Sequence, residues 1–147
     1  MTEDNNMIAP AEIYDLIGSN GFERLIDGFY RRVAEDDILR PMYPSGDLAP
    51  AAHRLRLFLE QYFGGPTTYS KERGHPRLRA RHIRFKIDQQ ARDRWIELMN
   101  AALTEAEFSP EIEAALREYF EMAATFLMNS HPTQGGIFST PYPNNNA

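Results

Sequence analysis

A chain of 147 residues is long enough for one domain with a substantial core and too short for two ordinary ones. Its hydrophobic (42%) and charged (25%) fractions are globular, no apolar run approaches the ~18 residues of a membrane span, and MTEDNNMIAP lacks the basic start and apolar core of a signal peptide, so a cytoplasmic protein is expected. The absence of cysteine excludes disulfides, thiolate metal sites, iron–sulfur clusters and thiol nucleophiles, leaving His, Asp, Glu or Tyr to hold any metal, and a net charge of -5 argues against general nucleic-acid binding.

Apolar spacing is helical nearly throughout, with no convincing alternating strand, and the fold class is therefore all-α. Pro10 suits a first helical turn, Ile13, Leu16 and Ile17 follow, and Gly18 is a natural stop for a short opening helix. Asn20 is placed to cap a second helix, with Glu23 able to reach back to the cap backbone. Phe22, Leu25, Ile26, Phe29, Tyr30 and Val33 then recur at i, i+3, i+4, i+7, i+8 and i+11, which makes them one buried stripe. Pro41 and Pro44 confine the next segment to a turn or short helix around Ile38 and Leu39.

A third helix begins near Asp47 and Pro50 and carries Ala51, Leu55, Phe58, Leu59 and Tyr62 on one face. Gly64-Gly65-Pro66 ends it, and a polar, mostly irregular stretch is expected to about His75. Pro76 can open a brief helix with Leu78, His82 and Phe85 at i, i+4 and i+7. Asp88 caps a helix whose face is Ala91, Trp95, Leu98, Met99 and Ala102, and Ser109-Pro110 starts the last one, with Ile112, Leu116, Tyr119, Phe120, Ala123 and Leu127 in register. Residues 131–147, rich in Gly, Pro and Asn, read as a disordered tail, and residues 1–10 as a flexible N-terminus. No Walker, GxGxxG, HExxH or GxSxG motif is present.

The segment RGHPRLRARHIRF, residues 73–85, holds two of the four histidines within a run where seven of the sixteen basic residues fall between Lys71 and Lys86. His53 lies away from the apolar stripe of its helix and is expected at the surface, and His131 reads as a polar helix end. His75 precedes a proline, which biases it away from helical geometry and makes it a loop or cap residue rather than the helical partner of His82. His82 shares a stripe with Leu78 and Phe85 and faces inward. It is either a hydrogen-bonded core histidine or the ligand of an apolar metal cofactor with carboxylates at its rim, of which haem is the example: imidazole on the iron, macrocycle in aromatic and aliphatic side chains, propionates on arginines. Tyr30 and Trp95 also lie on core faces, where each polar group needs a backbone acceptor or a polar guest.

FYRRVAEDDILRPMYP at 29–44, LRLFLEQYFGGP at 55–66, Tyr69, GHPRLRARH at 74–82, Phe85 and Trp95 together resemble the truncated haemoglobins, in their group II branch, over most of residues 11–130. The resemblance implies a two-over-two helical sandwich around haem b, a shortened first helix and a long loop before the proximal histidine. By position, His82 matches the iron ligand, Tyr30 the distal tyrosine, Tyr43 the aromatic of the MYP turn and Trp95 the group II tryptophan. Ala51 falls where many globins have a distal histidine, and Leu55 where an apolar residue packs over the ligand. Phe29, Phe58, Tyr62, Phe85 and Met99 are expected haem-pocket walls, with Arg54, Tyr69 and Arg81 as candidate propionate partners. Gly18-Ser19 and Gly21 stand where relatives often have paired glycines, and Arg84 where they often have proline.

The function so implied is binding of dioxygen and other small ligands (CO, NO, peroxide) at the iron, with Tyr30 and Trp95 as hydrogen-bond donors and Tyr43 in the same network. His82 is expected to donate its other ring proton to a carbonyl one turn back, such as that of Leu78. Redox turnover of nitric oxide or peroxide with a reductase is open, as is a monomer or homodimer. The rival from another class is a helical interaction domain that presents the 71–86 basic segment to an acidic partner, and it predicts a colourless protein with salt-sensitive binding.

Overall fold

The computed structural model describes residues 8–83 and 85–129, so the expected tail, Arg84, His131 and residues 1–7 lie outside the described residues. Ile8, within the expected flexible N-terminus, packs against the core. The described residues form six α-helices and two short 3-10 turns, with no strand among them: α1 (Ile13–Val33), α2 (Ala49–Tyr62), α3 (Thr68–Arg73), α4 (Leu78–His82), α5 (Gln89–Ala106) and α6 (Pro110–Leu127). α1 packs on both α2 and α5, and α5 packs on α6, giving a two-over-two sandwich. Its core holds all six residues of the predicted α1 stripe.

The expected break between the two opening helices falls at Gly18, whose non-helical backbone separates two helical segments of α1. Gly18 (φ 69, ψ 177) kinks α1, while Asn20 remains helical and caps nothing. A single left-handed glycine re-aims the chain without unwinding it, because glycine lacks the Cβ that would clash there. Ser19 beside it donates to Oε2 of Glu60 (2.8 Å), a buried carboxylate on α2 that also accepts from Arg56 (2.8 Å). The kink is thereby tied to α2 by a polar group with its hydrogen bonds met, as a buried charge requires.

At the far end of α2 the Gly64-Gly65 pair is a place of close approach. Gly64 has φ 101, and a Cβ there would lie 2.0 Å from the carbonyl oxygen of Ala11, while one on Gly65 would meet the Tyr14 ring at 2.6 Å. The N–H of Tyr14 donates to the Phe63 carbonyl (2.9 Å), so this turn is where the start of the chain is pinned to α2. Gly64→Ala should therefore cost roughly 2 kcal/mol or more of stability, from backbone strain added to a steric collision; a thermal melt within error of wild type would contradict this packing.

Between α1 and α2, buried Asp36 accepts from the N–H groups of Ile38 (3.0 Å) and Leu39 (2.8 Å) and is ion-paired with Arg94 of α5. Burial pushes its pKa up, but the Leu39 N–H, the Arg94 guanidinium and the Ile38 N–H together outweigh it and hold the carboxyl below the usual range. A depressed pKa contributes stability that is fully present above the unfolded value near ~3.9 and is lost as pH falls through the folded value. Asp36→Asn should accordingly lower stability at neutral pH and reduce the acid sensitivity of unfolding in that window, measured by denaturant midpoints at several pH values.

The polar stretch after α2 is not irregular. Residues 68–73 form α3, because Gln61 brackets Ser70, accepting from its N–H (2.9 Å) and donating to its hydroxyl (2.8 Å), while Tyr69 is buried edge-on against Phe58 (5.4 Å between centroids). One buried residue leaves no apolar period to read. α2 also buries more than the expected stripe: Leu57 and the cap residue Phe63 are buried, and Tyr62 is 45% exposed. α5 and α6 start as expected, with Asp88 accepting from the Ala91 N–H (2.9 Å) and Ser109 from that of Ile112 (3.3 Å).

Candidate functional site

A cavity of about 390 Å³ is lined by residues of α1, α2, α4, α5 and α6. That is within the roughly 300–1,000 Å³ of ligand pockets. Tyr30, Tyr43 and Trp95 come together at one wall, and Ala51, Leu55 and Phe58 line it from α2. His82, Arg81 and Leu78 of α4 and the following Phe85 also line it. Arg54 and Tyr69 also reach the lining.

Three expected wall residues do not. Phe29 and Met99 are fully buried and Tyr62 faces partly outward, and none lines the cavity. Phe29 instead forms a layer behind the wall, 4.9 Å from the Tyr30 ring and 5.1 Å from Trp95 between centroids, and Tyr62 lies 4.5 Å from Tyr119. Periodicity identifies an inward face but not which inward residues reach a void, and Phe29 and Met99 fill the α1–α5 contact instead. α6 is a wall that the expected site did not include: Phe120, Ala123 and Leu127 line the cavity, as do Ile87 and Arg73. Their signal was present, since the α6 residues belong to the predicted stripe, but it marks core and cavity alike.

His82 ends the five-residue α4, and its Nδ1 is 2.7 Å from the carbonyl oxygen of Leu78. A carbonyl only accepts, so Nδ1 carries the proton and the neutral ring keeps its lone pair on Nε2. Nε2 has no hydrogen-bond partner among the described residues, and the ring stands 6.5 Å from that of Phe85. A metal-binding imidazole is oriented in this way by a second partner on its other nitrogen. His75 has a different job: exposed, it accepts the Arg77 N–H at Nδ1 (3.0 Å), where Arg77 takes a left-handed φ of 46° ahead of α4. His53 pairs at the surface with Glu72 (3.3 Å).

Tyr30 and Tyr43 meet edge to face, 5.6 Å between centroids. The Tyr30 and Tyr43 hydroxyls are hydrogen-bonded to each other, and the Trp95 indole N–H donates to the Tyr43 oxygen. Burial is the main cause of a raised pKa at both tyrosines; the two hydrogen bonds and the charge of Arg54 oppose it at Tyr43. Burial thus favours the protonated form of both phenols, and two hydroxyl protons and one indole proton share this network.

The basic run divides by role. Arg81 donates from Nε to the Pro76 carbonyl (2.6 Å) and from Nη2 to those of Arg73 (3.0 Å) and His75 (3.3 Å), so it holds the loop before α4. Arg54 and Arg73 line the cavity, and their guanidinium groups have no hydrogen-bond or ion-pair partner among the described residues, two cations available for anionic groups at its rim.

An apolar slot, one wall histidine with an unpartnered Nε2 and two unpaired guanidinium groups are side chains of the kind that fit a haem group. The bacterial-like globin family model matches residues 12–129. The chain belongs to that family, in the group II truncated haemoglobin branch.

Two solved structures and one further relative show the extent of the likeness. The haemoglobin of Chloroflexus aurantiacus is 49% identical with a TM-score of 0.78, covering 80% of this chain and 98% of its own. An oxygen-avid truncated haemoglobin from Bacillus subtilis is 39% identical with a TM-score of 0.76, covering 83% and 100%. The group 2 truncated haemoglobin YjbI of Bacillus subtilis is 40% identical over 116 residues, 79% of this chain and 87% of that protein. Globins hold haem and bind small diatomic ligands, and this truncated haemoglobin contains no helix long and apolar enough to cross a membrane among its described residues.

Proposed function

We propose that the cavity holds haem b on His82 and that the protein binds dioxygen and other small ligands there, with slow dioxygen release. The observation that carries this is the Nδ1–H···O=C bond from His82 to Leu78, which leaves Nε2 as a lone pair in the wall of an apolar cavity. Bound there, haem would supply an iron centre able to take a small ligand and to change oxidation state. Phe58, Phe85, Phe120 and Leu127 would cover the macrocycle. Arg54 and Arg73 would meet the propionates, with Tyr69 beside them and Arg81 keeping the supporting loop in place.

On the ligand side the hydroxyl pair of Tyr30 and Tyr43 supplies the donor, and Trp95 orients Tyr43 by donating its indole N–H to that oxygen. Donors poised in a water-poor cavity favour a ligand that acquires negative charge over one that stays neutral. The oxygen avidity of the Bacillus subtilis relative agrees with such a donor set. Reconstitution with hemin, reduction and exposure to oxygen tests the reading. A Soret band with a stable oxygenated spectrum is expected, and a colourless protein after reconstitution would refute it in favour of an interaction domain.

Because burial keeps both phenols protonated, the dioxygen release rate should stay flat from about pH 6 to 10. Stopped-flow release across that range would show a break only if one of these donors titrated within it. Whether the site also turns over nitric oxide or peroxide is answered by multiple-turnover assays with a reductase present, since a simple binder shows no sustained consumption.

A further inference from the structure

The helix that carries His82 has only five residues, and among the longer helices it packs chiefly on α6. Short helices leave most of their C-terminal carbonyls without internal partners. In this chain the last of them, the His82 carbonyl, accepts the Phe85 N–H (3.0 Å) and also a side chain from elsewhere. Asn129, two residues past the end of α6, donates from Nδ2 to the carbonyl of His82 (3.3 Å) and to that of Phe85 (2.9 Å). Its Oδ1 accepts the N–H of Ile87 (2.8 Å), and its own N–H donates to the Ile87 carbonyl (2.9 Å). Four hydrogen bonds thus converge from one residue on the backbone at and just beyond the candidate ligand, across 42 to 47 positions of sequence.

We infer that Asn129 is a positioning residue for the axial histidine: it sets the height and tilt of the His82 backbone relative to the cavity, while Leu78 sets the rotation of the ring. This rests on the reading of His82 as the iron ligand. The chemistry of the side chain is specific. A primary amide presents two donors and an acceptor together, matching two carbonyls and one N–H; no carboxylate or hydroxyl does the same. Phe85 and Ile87, which share the clamp, line the cavity, so the clamp also holds part of the haem-facing wall.

Asn129→Asp keeps the shape and the acceptor for Ile87 but turns a carboxylate oxygen toward two carbonyls, and Asn129→Ala removes all three side-chain bonds. Each variant is reconstituted with hemin, and the iron–histidine stretching band of the ligand-free ferrous protein is recorded together with the rate of haem loss to an excess of acceptor apoglobin. We expect the band to shift and broaden and haem loss to rise about tenfold, the lower end for loss of an outer partner of a metal ligand. Ser109→Ala, which uncaps α6 at its other end, is the control for a merely destabilised protein and should leave the band where it is. A wild-type band and haem-loss rate in both Asn129 variants would overturn the inference, as would a shift of equal size in Ser109→Ala. Failure of both Asn129 variants to fold while Ser109→Ala folds would overturn it too, in favour of a role in holding the fold as a whole. If wild-type protein takes up no haem, the haem reading itself fails, and the clamp then shows only in slowed exchange of the Ile87 amide in the apoprotein.

Discussion

His82→Ala should yield a folded protein that no longer retains haem. The change removes a half-buried ring at the end of a five-residue helix, so little core is lost and the far-UV circular dichroism of the apoprotein should be preserved. What disappears is the only nitrogen with an available lone pair that lines the cavity among the described residues. A ligand that binds only the folded state stabilises it in proportion to the logarithm of its concentration over Kd, roughly 4 kcal/mol at a thousandfold excess over Kd. Wild-type protein should accordingly gain thermal stability on adding hemin, and His82→Ala should not. A hemin titration followed at the Soret band and by thermal melting measures both. A variant with wild-type haem content and spectrum would remove the basis for the proposed function.

The second large effect is expected at Tyr43. Its hydroxyl accepts the Trp95 indole N–H and is hydrogen-bonded to Tyr30, so in Tyr43→Phe one donor of the network is lost and two buried polar groups lose a partner. A hydrogen bond to a group bearing charge contributes about 1.5–3 kcal/mol, so dioxygen release should accelerate on the order of tenfold to a hundredfold. Carbon monoxide acquires less charge, and its release should change far less. The comparison of the two ligands separates a lost donor from a general loosening of the cavity, which would speed both. An unchanged dioxygen release rate would show that Tyr30 or Trp95 reaches the ligand without Tyr43.

Much of this protein is legible residue by residue. The α1 stripe from Phe22 to Val33, the caps at Asp88 and Ser109 and the stop at Gly64-Gly65 each depend on neighbours within about four positions, and all appear where periodicity and turn chemistry place them. His75 and His82 separate for an equally local reason, the proline that follows His75. The failures share a different cause. α3 has no apolar period, and Gln61 and the burial of Tyr69 hold it from outside. Asn20 looks like a cap, yet Gly18 kinks the chain two residues earlier and Ser19, not Asn20, finds the buried partner on α2. Phe29 and Met99 point inward as expected and still miss the cavity, because a stripe gives direction and not depth.

Taken alone, the order of residues therefore determines an all-helical chain, its core faces and the one histidine whose surroundings suit a ligand, since these follow from local sterics and hydrophobic spacing. The third dimension decides which inward side chains border empty space, which arginines remain uncommitted, and that Asn129, 47 residues away, grips the carbonyl of His82. Those outcomes depend on how separate helices meet, and no local pattern carries the meeting of elements that are distant in the chain.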